Sequence, residues 1–411
     1  YGIGLKAYDL MSFGPGSRIG RSSHLSRRET MEALPTLKAE RLKGGTRYID
    51  GQFDDARLAI TLARTAADLG ATVINYMPVV RLVKKNGRVC GIIARESETD
   101  REYELQARLV INATGVFTDF IRRLDEPAAA EVISPSQGAH IVLPRRFLPG
   151  EAALMVPKTD DKRVLFAIPW HDRVLVGTTD TAVKEILPDP ASTTSEIEFL
   201  LGHAGRYLTV APQPSDILST FAGLRPLVKP GGRASPRASA LVPRDHSILI
   251  SASGLVSVTG GKWTTYRKMA EETIDCALTI GGLPQRPCRT EELPLHGRVE
   301  QAEGSLPAHG SDASEIRALA EQVPDWNKPL HPDLPYIAAE VVWAARMEMA
   351  RTVEDFLARR TRALFLDARA SLAAAPMVAS LLGQELGRNT GWVQEQNAQY
   401  RQLVRKYLPL S

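Results

Sequence analysis

Two adjacent glycines, Gly260 and Gly261, join a strand-like segment to a helical one, and this junction limits how the chain can fold. Residues 246–261, HSILISASGLVSVTGG, have the pattern of a β-hairpin. Residues 266–280 have apolar side chains at helical spacing. The side chains expected to face inward from this helix are Met269, Thr273, Cys276 or Ala277, and Ile280. The residues around the start of this helix, 260–267, include glycine, lysine, threonine and arginine. We therefore ask which group binds there.

A second helix is predicted over residues 53–69, with Asp54 or Asp55 near its start and Gly70 at its end. Its periodicity defines one apolar face. The residues on that face are Leu58, Leu62, Ala66 and Leu69.

An antiparallel meander is predicted after this helix. The pattern gives a strand before Pro78, then two strands joined across Asn86-Gly87, which is a strong hairpin signal. An apolar strand over 109–112 then leads through a glycine into a helix over 117–124.

The remainder of the chain divides into a β-rich part and a helical part. From about residue 134 to 250, the short apolar runs HIVLP, ALMVP, VLFAIPW and VLVGTTD predict a mixed or antiparallel sheet, with one helix near 195–207. Beyond Pro284, three segments predict an appended helical domain. These segments are 336–365, 368–386 and 391–408. The sequence therefore predicts a mixed α/β (α+β) fold.

The composition of the 411 residues is that of a globular chain, with 44% hydrophobic and 24% charged residues. A net charge of +4 is too small to indicate nucleic-acid binding, and we predict no nucleic-acid partner. Three scattered cysteines indicate neither a disulfide framework nor a CxxC metal site, which favours a reducing compartment. No run of about 18 apolar residues occurs, so we expect any membrane contact to be peripheral.

Four residues are candidates for chemistry. Arg225, Arg244 and Lys262 are cations flanked by apolar strand residues. Such cations are costly to bury unless an anion meets them, so together they indicate a phosphate site. His140 lies in the strand-like run SPSQGAHIVLP and, taken alone, is more typical of a structural histidine. Neither HExxH nor GxSxG occurs, so metal and serine-hydrolase chemistry are poorly supported, and no metal site is predicted.

Seven segments, in order along the chain, resemble the FAD-dependent glycerol-3-phosphate dehydrogenases of the D-amino-acid-oxidase-like flavoprotein superfamily, the aerobic type that passes electrons to quinone. The segments are YIDGQFDDARL (48–58), VINATGVFTD (110–119), SQGAHIVLP (136–144), RVLFAIPWHDRVLVGTTDT (163–181), FAGLRPLVKP (221–230), RDHSI (244–248) and GGKWTTYRKMAE (260–271). The resemblance implies an enzyme that oxidises sn-glycerol 3-phosphate to dihydroxyacetone phosphate by hydride transfer to FAD.

The resemblance also implies what lies at the glycine junction. Residues 260–267 would face the flavin, because glycines let the backbone approach the ring and the helix start offers N–H groups to its oxygens. The turn over 112–115 resembles the second flavin-facing loop of the family. The implied cofactor-binding residues are Ala113, Thr114, Gly115, Gly260, Gly261, Lys262, Trp263, Thr264 and Thr265.

Roles at the substrate follow from the same resemblance. Arg225, Arg244 and Lys262 match substrate-contacting positions, and an arginine fork suits a phosphate. His140 matches the base that takes the C2 hydroxyl proton, for which a group titrating near neutrality is expected. The implied catalytic set is His140, Arg225 and Lys262, with Arg225 beside the developing alkoxide and Arg244 on the phosphate.

The family pattern differs from this sequence at its beginning. The family normally opens with a βαβ unit that carries GxGxxG and then an HGG-RYL-like segment, and neither is recognisable here. FGPGSRIG at 13–20 lacks the flanking strand and helix that such a loop needs. We therefore expect the chain to lack half of its cofactor cradle and to bind FAD poorly alone. The expected organisation is a Rossmann-like FAD-binding domain, incomplete here, interleaved with an antiparallel-sheet substrate domain and followed by a helical domain. The ranges are 48–125 with 244–283, 1–47 with 126–243, and 284–411.

Three alternatives stay open at this point. A glycerol-3-phosphate oxidase would make the same ketone but reduce dioxygen, a non-catalytic remnant would keep the pocket without redox chemistry, and an amine or amino-acid oxidase would share the flavin architecture. The resemblance further implies quinone as electron acceptor and a cytoplasmic location at the inner face of the membrane. A homodimer is left open.

Overall fold

Strands predominate up to residue 260, and helices after it, in the computed structural model, which describes residues 22–157, 159–160, 163–229, 246–300 and 306–409. The strands are β1 (Ser23–Ser26), β2 (Gly44–Arg47), β3 (Val79–Lys85), β4 (Arg88–Arg95), β5 (Glu102–Gln106), β6 (Ile111–Asn112), β7 (Ile133–Pro144), β8 (Leu154–Val156), β9 (Leu165–Trp170), β10 (Arg173–Gly177), β11 (Thr181–Ala182), β12 (Ser219–Val228), β13 (His246–Ile250) and β14 (Val256–Gly260). The glycine-rich segment 13–20 and Arg244 lie outside the described residues.

The helices are concentrated in the second half of the described chain. They are α1 (Arg27–Ala33), α2 (Asp55–Asp68), α3 (Thr118–Asp125), α4 (Thr194–Tyr207), α5 (Tyr266–Ile280), α6 (Ala313–Gln322), α7 (Ala338–Met347), α8 (Ala363–Leu366), α9 (Ala368–Glu385) and α10 (Thr390–Val404). A π-helical segment occupies Asp355–Arg360. None of the helices within the described ranges combines the length and the apolar character needed to cross a bilayer.

A six-stranded sheet forms the largest β unit. Its order is β11-β7-β10-β9-β8, and β12 pairs antiparallel with the other side of β7. Leu143, Leu165 and Val176 are buried in its core, and Leu200 of α4 packs into the same cluster. The predicted antiparallel sheet and the helix near 195–207 are therefore confirmed, and β7 is the strand on which the sheet is centred.

A smaller sheet carries the glycine junction. β13 and β14 form the predicted hairpin, and β14 also pairs in parallel with β6. The helix predicted from residue 266 is α5, in which Thr273 and Ala277 are buried. The mixed α/β fold class is confirmed, because a parallel pair flanked by helices stands beside the antiparallel sheet.

The meander is formed by β3, β4 and β5, and not by the strand predicted before Pro78. Residues 71–77 pair with no strand in the described part of the chain. Side chains hold this segment against the C-terminal helices, since Asn75 Nδ2 donates to the Met349 carbonyl at 2.8 Å and Tyr76 Oη donates to Asp355 at 2.7 Å. The predicted turn at Asn86-Gly87 joins β3 to β4 and is confirmed.

The helix predicted over 53–69 is α2, but its buried side is polar. Asp54 accepts a hydrogen bond from the Arg57 N–H as the N-cap. Arg57 and Thr65 are buried, whereas Leu69 is 66% exposed, so the predicted apolar face is wrong at that residue. Hydrophobic periodicity misplaces the face because an arginine on this helix has a buried carboxylate partner.

That partner is Glu348, in the C-terminal helical part. Arg57 Nη1 and Nη2 donate to the two Glu348 oxygens at 2.8 and 2.7 Å. Burial alone would raise the pKa of Glu348, but the hydrogen bonds and charge of Arg57 outweigh it, and the pKa is lowered. The pair therefore ties α2 to the helices that follow residue 313.

Replacing Arg57 with methionine is expected to destabilise the fold by about 3–5 kcal/mol, because it leaves the Glu348 carboxylate buried without its main partner. Urea unfolding measures the loss. Arg28→Met is the matched control, since Arg28 pairs with Glu32 on the surface and should change the unfolding free energy by less than about 1 kcal/mol. Equal losses in the two variants would contradict the account.

Candidate functional site

A cavity of about 930 Å³ lies where the large sheet, the glycine junction, the start of α2 and the C-terminal helices meet. The predicted site residues that line it are His140, Arg225, Gly260, Gly261, Lys262 and Trp263. Residues that are distant in the sequence therefore line one cavity. Ala113, Thr114, Gly115, Thr264 and Thr265 are not among the described residues that line this cavity.

The Arg225 guanidinium lies over Gly138 on the neighbouring strand. A β-carbon built on Gly138 would stand 2.4 Å from Arg225 Nη2, so only glycine leaves room for this position. Arg225 Nη2 donates to Thr178 Oγ1 at 2.9 Å and to the Thr179 carbonyl at 3.2 Å. Nη1 lies 3.6 Å from Asp180 Oδ1. The arginine is thereby fixed at the cavity wall.

His140 lies at the centre of the sheet, between a glycine and an aromatic ring. It stands opposite Gly177 of β10 and opposite Phe221 of β12 in the strand register. A β-carbon on Gly177 would lie 2.0 Å from His140 Cδ2, and the His140 and Phe221 rings stack at 5.1 Å between centroids with 14° between planes. The imidazole is therefore held between its two neighbouring strands.

The surroundings of His140 keep it neutral. Burial, followed by the charge of Arg225, lowers the pKa of His140 to about 4. This pKa is lower than the value near neutrality that was expected. The sequence pattern alone does not reveal that the ring is buried or that a guanidinium lies near it. A neutral imidazole can accept a proton at pH 7, so the role of a base remains chemically available.

The glycine junction has the backbone geometry that only glycine adopts easily. Gly260 and Gly261 have φ values of +78° and +74°. A β-carbon on Gly261 would lie 2.5 Å from Met269 Sδ. Lys262 and Trp263 follow in the lining of the cavity, and a 3-10 turn over Trp263–Thr265 leads into α5. The N–H groups of Thr265 and Tyr266 donate within this turn, to the carbonyls of Lys262 and Trp263.

The turn over 113–115 is fixed by a buried asparagine on β6. Asn112 Nδ2 donates to the Thr118 carbonyl at 3.0 Å and to Ser257 Oγ at 3.1 Å. Thr114 Oγ1 donates to Asn112 Oδ1 at 2.7 Å, and Gly115 has a φ of +59°. Since β6 pairs with β14, this turn follows the strand next to the one that ends at the glycine junction.

Three charged residues that line the cavity, Asp54, Asp55 and Arg362, were not recognised as site residues from the sequence. Arg362 Nε donates to the Asp54 oxygens at 3.1 and 3.2 Å. Although burial opposes it, hydrogen bonds from His171 and Arg362 hold the pKa of Asp54 well below its usual range. Asp54 was recognised only as a helix start, and Arg362 gave no signal because its helical segment looks like ordinary core. The C-terminal helices thus contribute directly to the wall.

This set of residues fits a flavin beside a small phosphate ester. The volume is in the range of small-molecule sites, and Arg225 and Lys262 supply positive charge to the same cavity as a neutral imidazole. The positive-φ glycines allow the backbone to approach a planar ring system closely.

His140 is expected to titrate near pH 4 in the folded protein, which NMR of the imidazole carbons can measure, with His140→Gln used to assign the signal. Arg225→Gln should raise the midpoint while burial keeps it below 6.5. Between pH 6.5 and 4 the unfolded chain binds more protons, so wild type should lose stability relative to His140→Gln as the pH falls. A midpoint near 6.5 in wild type would contradict this geometry.

Comparison with known proteins places this site in a family context. A family model described as FAD dependent oxidoreductase matches residues 6–267, and one described as the C-terminal domain of alpha-glycerophosphate oxidase matches residues 256–396. The mitochondrial glycerol-3-phosphate dehydrogenases of Macaca fascicularis and Homo sapiens are 37% and 36% identical, over 96% and 99% of this chain. The chain spans 58% and 59% of the length of these two relatives.

A solved structure is similar over most of the fold. The glycerol-3-phosphate dehydrogenase of Bacillus halodurans, complexed with FAD, superposes with a TM-score of 0.81 at 26% identity. The match covers 94% of this chain and 80% of that one. The similarity therefore includes the sheet, the glycine junction and the C-terminal helices that form the cavity.

Proposed function

The chain belongs to the FAD-dependent oxidoreductase family, and on that premise we propose that it oxidises sn-glycerol 3-phosphate to dihydroxyacetone phosphate. The observation that carries the proposal is that Arg225, Lys262 and His140 line one cavity together with the glycine junction. The names of the relatives support it, because glycerol-3-phosphate dehydrogenases match nearly all of this chain.

The proposed division of labour follows from the charges. Arg225 and Lys262 attract the phosphate ester, and Arg244, outside the described residues, is proposed to hold the phosphate. FAD, when bound, accepts the hydride that leaves C2. The residues proposed to hold it are Ala113, Thr114, Gly115, Gly260, Gly261, Lys262, Trp263, Thr264 and Thr265. We also retain the division into a substrate-binding, an FAD-binding and a helical domain at the predicted boundaries.

Proton transfer is assigned to His140. Its neutral ring accepts the C2 hydroxyl proton, and the Arg225 guanidinium stabilises the negative charge that grows on that oxygen. A phosphate dianion close to Arg225 would offset the field that lowers the pKa of His140. Binding of the substrate therefore makes the imidazole a stronger base at the time when it is needed.

The electron acceptor is proposed to be quinone, reached through peripheral contact with the inner face of a membrane, and a homodimer is retained as a hypothesis.

A second candidate function is that of the oxidase, which would reduce dioxygen to hydrogen peroxide. It is favoured by one observation, the match of residues 256–396 to a family model named after alpha-glycerophosphate oxidase.

A steady-state assay of the FAD-loaded protein distinguishes these functions. With sn-glycerol 3-phosphate and a soluble quinone analogue, we expect dihydroxyacetone phosphate in proportion to quinol, at a rate that air does not raise. Hydrogen peroxide in proportion to the ketone would favour the oxidase. Absence of product with both acceptors would reject the proposed reaction.

Gly138→Ala is expected to raise KM for glycerol 3-phosphate about ten-fold or more, because the new β-carbon displaces the Arg225 guanidinium. The displaced atoms are the end of a flexible side chain, so folding should persist. Gly202→Ala is the matched control, since the space around this exposed helical glycine is open. An unchanged KM in Gly138→Ala would remove Arg225 from the substrate site.

A further inference from the structure

We propose that Phe365, in the C-terminal helical part, is a positioning residue for His140 and acts through the ring of Phe221. Phe221 opens the FAGLRPLVKP segment but was given no role in the site, and Phe365 lies in none of the seven segments. The role of His140 as a base rests on the proposed function, whereas the ring contacts stand independently of it.

The contact chain runs from the sheet into the helices. The Phe221 ring stacks on His140, and Phe365 meets Phe221 edge to face at 4.8 Å between centroids with 84° between planes. Phe365 in turn meets Tyr407 edge to face at 5.6 Å. Offset and edge-to-face arrangements are the favoured geometries of aromatic pairs, so each ring limits the tilt of the next.

Phe365 is itself firmly held. It lies in α8, and the next helix is hydrogen-bonded to the segment that leads into β12, where Ala368 N donates to the Leu218 carbonyl at 3.1 Å. Arg362 covers the Phe365 ring with its guanidinium 5.3 Å from the centroid. Tyr407 Oη donates to Asp189 at 2.6 Å, which anchors the far end of the chain of rings. The aromatic support is therefore fixed at both ends.

This support keeps water from one face of His140. The other strand neighbour is Gly177, which has no side chain, so Phe221 is the ring that covers the imidazole. Phe365 also lines the cavity, so shortening it would open the space beside Phe221 to solvent. The charged groups around His140 are Arg225 from β12, with Asp180 3.6 Å from its guanidinium, and four residues that line the same cavity, Asp54, Asp55, Lys262 and Arg362. A Phe365 variant keeps all of these side chains, and of them Arg362 loses a packing contact, the one with the Phe365 ring.

NMR titration of the FAD-loaded protein tests the proposal. Phe365→Ala should let Phe221 tilt and raise the His140 midpoint by about one pH unit or more towards 6.5, because water then solvates the imidazolium. Phe120→Ala is the matched control, since it also shortens a phenylalanine, but Phe120 is exposed and is not among the residues that line this cavity, so it should leave the midpoint unchanged. In the glycerol 3-phosphate assay, Phe365→Ala should lower kcat about ten-fold with little change in KM, because the imidazole is no longer held towards the C2 hydroxyl and this loss of orientation outweighs its greater basicity.

A His140 midpoint in Phe365→Ala equal to that of wild type would overturn the proposal, whatever the activity. Should the alanine variant not fold, Phe365→Leu is measured instead, with a smaller rise expected and an unchanged midpoint again decisive against the proposal. A shifted midpoint in a protein that does not oxidise glycerol 3-phosphate would support the positioning role and reject the proposed reaction, so the two failures are distinguishable.

Discussion

β7 pairs with β10 on one side and with β12 on the other, and these pairings fix the positions of His140 and Arg225 at the cavity. β10 fixes Gly177 opposite His140, and β12 fixes Phe221 opposite the same residue from the other side. Because side chains in a sheet alternate with a period of two, a slip of one residue in either pairing would turn His140 or Arg225 to the opposite face. Strand register therefore positions the site residues more than any single hydrogen bond does. Glycine is required at residues 138 and 177 because the Arg225 guanidinium lies over Gly138 and the His140 ring lies over Gly177.

The C-terminal helices form the part of the cavity lining that the large sheet does not supply, and they hold α2 in place. They supply Arg362 to Asp54 at the start of α2, Glu348 to Arg57 one turn further along, and Phe365 to the ring that covers His140. A buried ion pair is costly to desolvate and strongly destabilising to break, so such pairs hold α2 in one orientation against the helices. The helical part therefore forms part of the cavity lining. Because it contributes charged residues there, its packing also affects the polarity of the site.

Local signals in the sequence predicted the elements well. The Asn86-Gly87 turn, the hairpin that ends at Gly260-Gly261 and the helix from residue 266 are each encoded by neighbouring residues, and all three are confirmed. The strand predicted before Pro78 and the inward position predicted for Leu69 in α2 were wrong, because contacts with residues far away in the sequence determine both. Long-range contacts also explain why some residues of the site could not be found from the sequence. Cations and a histidine can be recognised by type, but Arg362 and Phe365 become part of the wall only through tertiary packing.

The most direct test of the central claim is an anaerobic absorbance spectrum of the FAD-loaded protein, recorded before and after addition of sn-glycerol 3-phosphate, with glycerol as the comparison. The proposed assignment of Arg225 and Lys262 to the phosphate and of His140 to the C2 hydroxyl predicts that the phosphate ester bleaches the flavin band and that glycerol at the same concentration leaves it unchanged. Bleaching by both alcohols alike, or by neither, would contradict the assignment of Arg225, Lys262 and His140 to one substrate site.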